Sequence, residues 1–533
     1  MSNLNIPRFP AYTNPTGNEY PVIAYNIHLF KKKGDPEDSK KPSSEAKTDV
    51  DEFLSNIKEC GFNGTIWTPA NITEEYYINL ISYYYQSSAA LGLRTTLNIA
   101  NSMPRVCQKT KVVDPVTNKT IPVDGISFGS PKGLNMEEYA KILNLNADEK
   151  NLWGYKIMDE PGFDSWAHIV APPGTCDLPE AYRTYLKNPN GHVAMVTLVV
   201  ATSATYLGQK MHDASPTHRV RYENYLEAIR KKLSPKALSM DIYPVIAKMP
   251  KSTTFYIKYD YYSLLEVIGE FSSKHDIPCW LYILSNQHSF YENSETAISL
   301  RATYPYITEG LLRFQAMTAL AYGFQGIVFW TYGLPKGPAN YSELYGNLDA
   351  PLDAAGKPTK VWYYCQSVNT EIKEFGAYFL GTKFQKALHV YGAVDNVIET
   401  NGSEFPETTN FEKKEEGNSE GNSEGDCITA ECITKATAKG KGFVITYLTK
   451  DNEKYAAIVS HDYEDPQDIE LTIPSAYNPV IYKYDFKYQK GSEYYYDSKE
   501  FTGPVSLEAN SGTDVVIKET LPPGGLLLIK YTD

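Results

Sequence analysis

Eight times between Pro21 and Gly381, a short run of β-branched and aromatic residues gives way to a longer stretch of helical period. The runs are Val22–His28, Gly64–Thr68, Arg94–Ala100, Trp153–Glu160, His192–Ala201, Ala237–Val245, Cys279–Ser285 and Gly326–Tyr332. Between them apolar residues recur every three or four positions, as in Val50-Phe53-Leu54-Ile57. Leu311-Leu312-Phe314-Met317-Leu320 is the clearest amphipathic stripe. Strands separated by helices pair in parallel, because the crossover returns the chain to the same edge direction. Eight such units in about 360 residues predict a (β/α)8 TIM barrel over residues 1–381.

Beyond Gly381 the pattern changes to strands without helices. Phe443–Leu448, Tyr455–His461, Ile469–Thr472, Val480–Asp485, Val515–Lys518 and Gly525–Tyr531 are separated by Asn, Asp, Gly and Pro turns. The fold class expected is therefore α/β, a barrel followed by an all-β sandwich over 382–533. Inside the second part, Ser403–Asp426 holds eight acidic and two basic residues, nearly half of the chain's net −13. It has too little apolar content to fold alone and is expected to be a mobile loop.

The charge balance argues against nucleic acid or an anionic membrane surface as the main partner. No apolar run is long enough to cross a bilayer as a helix. The amino terminus shows no leader; Met1 as the native start implies the cytoplasm, and a start after a removed leader implies the periplasm or cell surface. Seven cysteines cannot all pair within one chain, and Cys427 and Cys432 read as a loop disulfide or two thiols. The 43 tyrosines suit either packing or a wet, sugar-like binding surface.

Chemistry is expected at the carboxyl-terminal mouth of the barrel, where Lys31–Lys47, Asn101–Gly133 and Gly162–Leu178 lengthen the strand-to-helix connections. The fourth run ends in Asp159-Glu160-Pro161. Proline ends the ladder there, and a Glu held against aromatic walls acquires the raised pKa of a general acid. The plainer alternative is a surface pair capping the next helix. The sixth run ends in Asp241-Ile242-Tyr243-Pro244, which brings a second carboxylate to the same mouth.

These endings, together with Trp330 on the eighth run, resemble the clan A glycoside hydrolases. The likeness is greatest to β-galactosidase-like, family 42-like proteins of gut Bacteroidetes, which join this barrel to a carboxyl-terminal β-sandwich. The resemblance implies that Glu160 is the acid/base, that Asp159 stands where the family usually has a sugar-binding Asn, and that Tyr243 and Trp330 are site aromatics. It also implies a strand-seven nucleophilic Glu, which this chain lacks. Its seventh run reads Cys279-Trp280-Leu281-Tyr282-Ile283-Leu284-Ser285-Asn286-Gln287-His288, and the next acid is Glu292. The Leu284-Ser285-x-x-His288 pattern is similar to that of related Bacteroidetes proteins, so the departure reads as a subgroup trait.

Glycoside hydrolysis needs an acid on the leaving oxygen and a base or nucleophile opposite it. Asp241 is the candidate for the second part; a hydrogen-bonding role towards sugar or loop backbone is the alternative. Tyr25, Trp67, Asn98, Tyr243, His288 and Trp330 are candidate sugar contacts, with barrel packing the alternative for Tyr25 and Trp67 and an ordinary polar contact for His288. No catalytic metal or other cofactor is expected, because no His or Cys lies at ligand spacing and no Gly-rich loop opens a helix. The function expected is a glycoside hydrolase on β-galactoside-like or related glycans, with an oligosaccharide or polysaccharide as partner. The rival is a carbohydrate-binding protein on a degenerate hydrolase barrel.

Overall fold

The computed structural model describes residues 20–26, 30, 40–67, 75–98, 105–107, 110–113, 120–123, 126–128, 152–159, 193–198, 216–233, 235, 237–247, 255–287, 289–294, 297–333, 350–353, 355–390, 398–399, 410–412, 432–488, 496–507 and 514–532. Eight parallel strands close into a barrel. They are β1 (Val22–Asn26), β2 (Gly64–Trp67), β3 (Arg94–Asn98), β4 (Leu152–Asp159), β5 (Val193–Leu198), β6 (Ala237–Asp241), β7 (Cys279–Leu284) and β8 (Ile327–Trp330). The order round the barrel is β1-β8-β7-β6-β5-β4-β3-β2, each strand pairing with its sequence neighbour and β1 closing on β8. Among the described residues, six helices lie in or after the barrel: α1 (Ser44–Glu59), α2 (Glu75–Ala90), α3 (Pro216–Leu233), α4 (Tyr259–His275), α5 (Glu309–Ala321) and α6 (Lys360–Phe379).

Local chemistry fixes several of these starts. Ser43 accepts a hydrogen bond from Ala46 N at the head of α1, and Thr308 and Thr359 accept from Leu311 N and Val361 N at the heads of α5 and α6. β7 is buried along its whole length, as a parallel strand covered on both faces must be. Gly326, at the entry to β8, leaves room for the Trp280 indole; a Cβ there would stand 2.7 Å from the ring.

The connections at the mouth are built differently from the simple strand-then-helix expectation. The segment after β3 carries two antiparallel pairs, Arg105–Cys107 with Ile126–Phe128 and Thr110–Val113 with Thr120–Val123. After β6, Val245–Ala247 pairs with Phe255–Lys258, which is joined in parallel by Ile398–Glu399. A hairpin, Ser289–Ser294 with Ala297–Thr303, precedes α5. Gly162–Leu178 and Cys427 lie outside the described residues, and Cys432 is buried.

After α6 the chain forms β9 (Lys383–Val390), β10 (Asn410–Glu412), β11 (Lys435–Ala438), β12 (Phe443–Lys450), β13 (Glu453–Ser460), β14 (Gln467–Pro474), β15 (Val480–Tyr488), β16 (Tyr496–Ser506), β17 (Asp514–Leu521) and β18 (Leu526–Tyr531). One sheet has the order β9-β12-β13-β18-β15-β16 and the other β10-β11-β14-β17. Both are antiparallel, and side chains from the two share one apolar cluster that includes Ile445, Ile458, Leu471, Ile517 and Leu527. β10 falls within the acidic segment expected to be a loop. Backbone pairing with β11 gives Asn410–Glu412 its ladder without any demand for apolar content. The rest of that segment is outside the described residues.

Candidate functional site

Contacts between strands that are not neighbours identify the side chains inside the barrel. Tyr25 of β1 and Tyr282 of β7 meet edge to face at 5.8 Å, although β8 lies between their strands. Lys156 of β4 stands over both rings, 5.3 Å from Tyr25 and 5.0 Å from Tyr282. Strands three places apart can meet like this only through the lumen. Asn98, at the end of β3, donates to the Tyr25 hydroxyl at 2.7 Å. Thr197 of β5 and Ser239 of β6 share a hydrogen bond of 2.9 Å.

Register extends this assignment to Asp241. In a parallel pair, residues opposite one another project to the same face. Asp241 lies opposite Tyr282 and is two residues beyond Ser239, so it belongs to the lumen face at the last position of β6. It is half-buried there. Trp330 lies opposite Leu284, two residues beyond Tyr282, and so stands on the same face at the end of β8. Tyr243, two residues past Asp241, stacks on Trp330 with centroids 5.9 Å apart and planes 25° apart. Tyr304 closes on Tyr243 from the edge at 5.7 Å. Thus Asp241 and two of the expected aromatics come together at one side of the mouth.

Backbone bonds hold the exits of β7 and β8 together. Ser285 N donates to Trp330 O at 2.8 Å, and Thr331 N donates to Asn286 Oδ1 at 3.2 Å. The Trp330–Thr331 peptide is cis. Gln315 of α5 receives Leu284 N at 2.8 Å and donates to Leu284 O at 3.1 Å, so a helix side chain fastens the last residue of β7. The Asn286 carboxamide oxygen is therefore engaged with backbone, whereas Gln287 is half-exposed.

Trp67 is placed away from this group. Ile66, not Trp67, lies opposite Tyr25, so Trp67 takes the outer face of β2. There it stacks on Tyr84 of α2 at 4.6 Å, meets Phe30 edge-on at 5.3 Å, and is buried. These surroundings are those of a packing residue. Tyr332 is likewise buried, its hydroxyl accepting from Trp362 Nε1 at 2.9 Å. Asp159 is described only as backbone, opposite Thr197. Glu160 and His288 lie outside the described residues.

β4 holds the residue that sequence reasoning passed over. Its register slips twice, between the partners of Leu152 and Gly154 and again between those of Lys156 and Met158. The second extra residue, Ile157, brings positions 156 and 159 into step with Met195 and Thr197, two apart on β5. Such bulges re-aim a strand at the rim of a barrel. The available signal was a lysine inside a run otherwise fit for a buried strand. Among the described residues no group of three or more His, Cys, Asp or Glu is placed to hold a metal ion. No described helix is long and apolar enough to cross a membrane.

No family model matches this chain, and no curated protein matches it either. Solved structures do resemble it. A β-galactosidase from Bacillus circulans sp. alkalophilus is 8% identical, with 97% of this chain and all of that one covered at a TM-score of 0.41. A maltogenic α-amylase from Thermotoga neapolitana is 9% identical over 96% of this chain and 99% of its own, at a TM-score of 0.42. An endo-β-1,4-mannanase from Thermotoga petrophila is 9% identical over 85% of this chain and 94% of its own, at 0.39. At such identities and scores these likenesses assign no activity.

Proposed function

We propose that this chain is a glycoside hydrolase, a (β/α)8 TIM barrel with a β-sandwich, acting on β-galactoside-like glycans. Glu160 is the general acid and Asp241 the base or nucleophile. The observation that carries the reading is the placement of Asp241. It ends β6 on the lumen face, beside the stacked Tyr243 and Trp330 at the mouth. An aromatic face supports the apolar side of a pyranose while carboxylates and amides fix its hydroxyls, and Asn98 and Tyr25 supply further polar groups. In this reading Asp159 and His288 contact sugar, and Trp67 is packing.

The missing strand-seven carboxylate favours a second reading, a carbohydrate-binding protein without turnover. β7 ends in Leu284 and is followed by Ser285, Asn286 and Gln287, of which the Asn286 amide already accepts from Thr331 N. A panel of aryl glycosides and oligosaccharides, assayed with wild type, Glu160→Gln and Asp241→Asn, separates the two. The hydrolase reading expects turnover in wild type and a loss of at least about a hundredfold in each variant. Undiminished hydrolysis by Asp241→Asn removes that residue from the mechanism. Binding without turnover in all three proteins establishes the second reading.

A further inference from the structure

Lys156 has no part in the two-carboxylate chemistry above, yet it is a charged residue only 3% exposed, and it lies in the lumen. Lysine is rarely buried to this degree unless its charge is answered, because the ammonium loses its hydration. Its place is fixed from several sides. Asn98 lies opposite it on β3, and its ammonium reaches the Tyr25 and Tyr282 rings of β1 and β7 at 5.3 and 5.0 Å. Tyr282 is in turn the residue opposite Asp241 on β6. The cation therefore rests against the ring that flanks the candidate base. Asp241, opposite Tyr282 on β6, is a carboxylate on the same lumen face, with the Tyr243 ring two residues beyond it; Asp159 and Glu160 follow Lys156 in the sequence.

We propose that Lys156 is a positioning residue of the barrel site, whose charge holds Asp241 as a carboxylate and so keeps it competent as base or nucleophile. The inference rests on the hydrolase reading. A cation acting through a lumen poor in water favours the ionised form of a neighbouring carboxylate far more than one at the surface does. The bulge at Ile157 brings both Lys156 and the last residue of the strand, Asp159, into step with alternate residues of β5.

Lys156→Met removes the charge and keeps most of the length, and Lys156→Arg keeps the charge. The pH dependence of kcat/KM is measured for both on the best aryl glycoside. In Lys156→Met the acidic limb moves up by about one pH unit, since Asp241 must then ionise unaided; in Lys156→Arg it stays in place. An unmoved limb in Lys156→Met overturns the proposal whatever the rate, because lost packing lowers activity at every pH alike. If Lys156→Met does not fold, Lys156→Met/Asp241→Asn is compared with it by thermal melting. Recovery of folding in the double variant shows that the two charges answer each other, and no recovery overturns the proposal. Wild type without turnover on any glycoside is a failure of the hydrolase reading itself and takes this inference with it. An active enzyme with an unmoved limb refutes this inference alone.

Discussion

His389 of β9 and His461, just after β13, lie ring against ring, their Nδ1 and Nε2 3.2 Å apart. Tyr262 of α4 closes over both, at 4.6 and 5.4 Å between centroids. One ring must donate and the other accept, which suits two neutral imidazoles. Burial pushes His389 down to about 4, and burial together with the neighbouring His389 holds His461 well below the usual histidine value. An unfolded chain would protonate both near 6.5. The unfolded state therefore binds more protons below that point, so stability is full above about pH 6.5 and falls as the pH drops towards 4. At about 1.4 kcal/mol per pH unit, His389 alone accounts for a loss of about 3 kcal/mol by pH 4. Urea midpoints across that range measure it. The expected outcome is a slope that flattens in His389→Gln; an equal slope in both proteins assigns the acid sensitivity to other groups.

Helix α5 shows how an element's surroundings decide what its sequence means. Leu311, Leu312, Phe314, Met317 and Leu320 read as one apolar stripe, yet every residue from Gly310 to Ala321 is buried. One face packs on the barrel and the other is covered by the six-stranded sheet, a neighbour that periodicity within the helix does not announce. The polar residues of α5 are accordingly committed: Arg313 to Glu371, Gln315 to Leu284 and Thr318 to Phe314 O. Gln315→Leu would leave both Leu284 backbone groups without their partner inside the protein, at a cost of about 2 kcal/mol. The expected signature is a lowered urea midpoint with unchanged m, together with a fall in any activity that depends on the exit of β7. The eight barrel strands were legible because a buried parallel strand is a local composition, and the positions of Asp241, Tyr243 and Trp330 because strand ends fall at the mouth. Trp67 was not, since its face turns on a register with β1 that a single strand does not encode. Lys156 was hidden by the two bulges of β4. β9 and β16 went unseen for a related reason: β9 alternates unevenly in burial, and β16 carries Gly503-Pro504.

The barrel and the six-stranded sheet share a continuous core, in which Phe314, Phe375 and Tyr322 meet Phe384, Tyr484 and Leu526. Set into that apolar junction is an ionic cluster. Glu371 of α6 receives Arg313 Nε at 2.8 Å and Lys499 Nζ of β16 at 2.6 Å, and Arg313 also donates to Pro523 O at 3.0 Å. Burial pushes the Glu371 carboxyl up, but Arg313 and Lys499 outweigh it and hold the carboxyl below its usual value. Its contribution is thus present above about pH 4.5 and is lost as the pH falls through the folded value. Glu371→Gln keeps the shape and removes the charge, leaving Lys499 buried without its anion and Arg313 with Glu309 alone, which costs about 3 kcal/mol. Glu371→Leu with Arg313→Met removes anion and one cation together and should cost less, because replacing paired charges by apolar groups is often close to neutral. Each partner in the cluster comes from a different part of the chain, so the loss should appear in the docking of the two parts as well as in the melting point. Guanidinium unfolding followed by fluorescence is expected to give one transition for wild type and two for Glu371→Gln, with the antiparallel sheets and the barrel parting company. A single unshifted transition in Glu371→Gln would mean that the shared apolar core, and not the buried charges, holds the halves together.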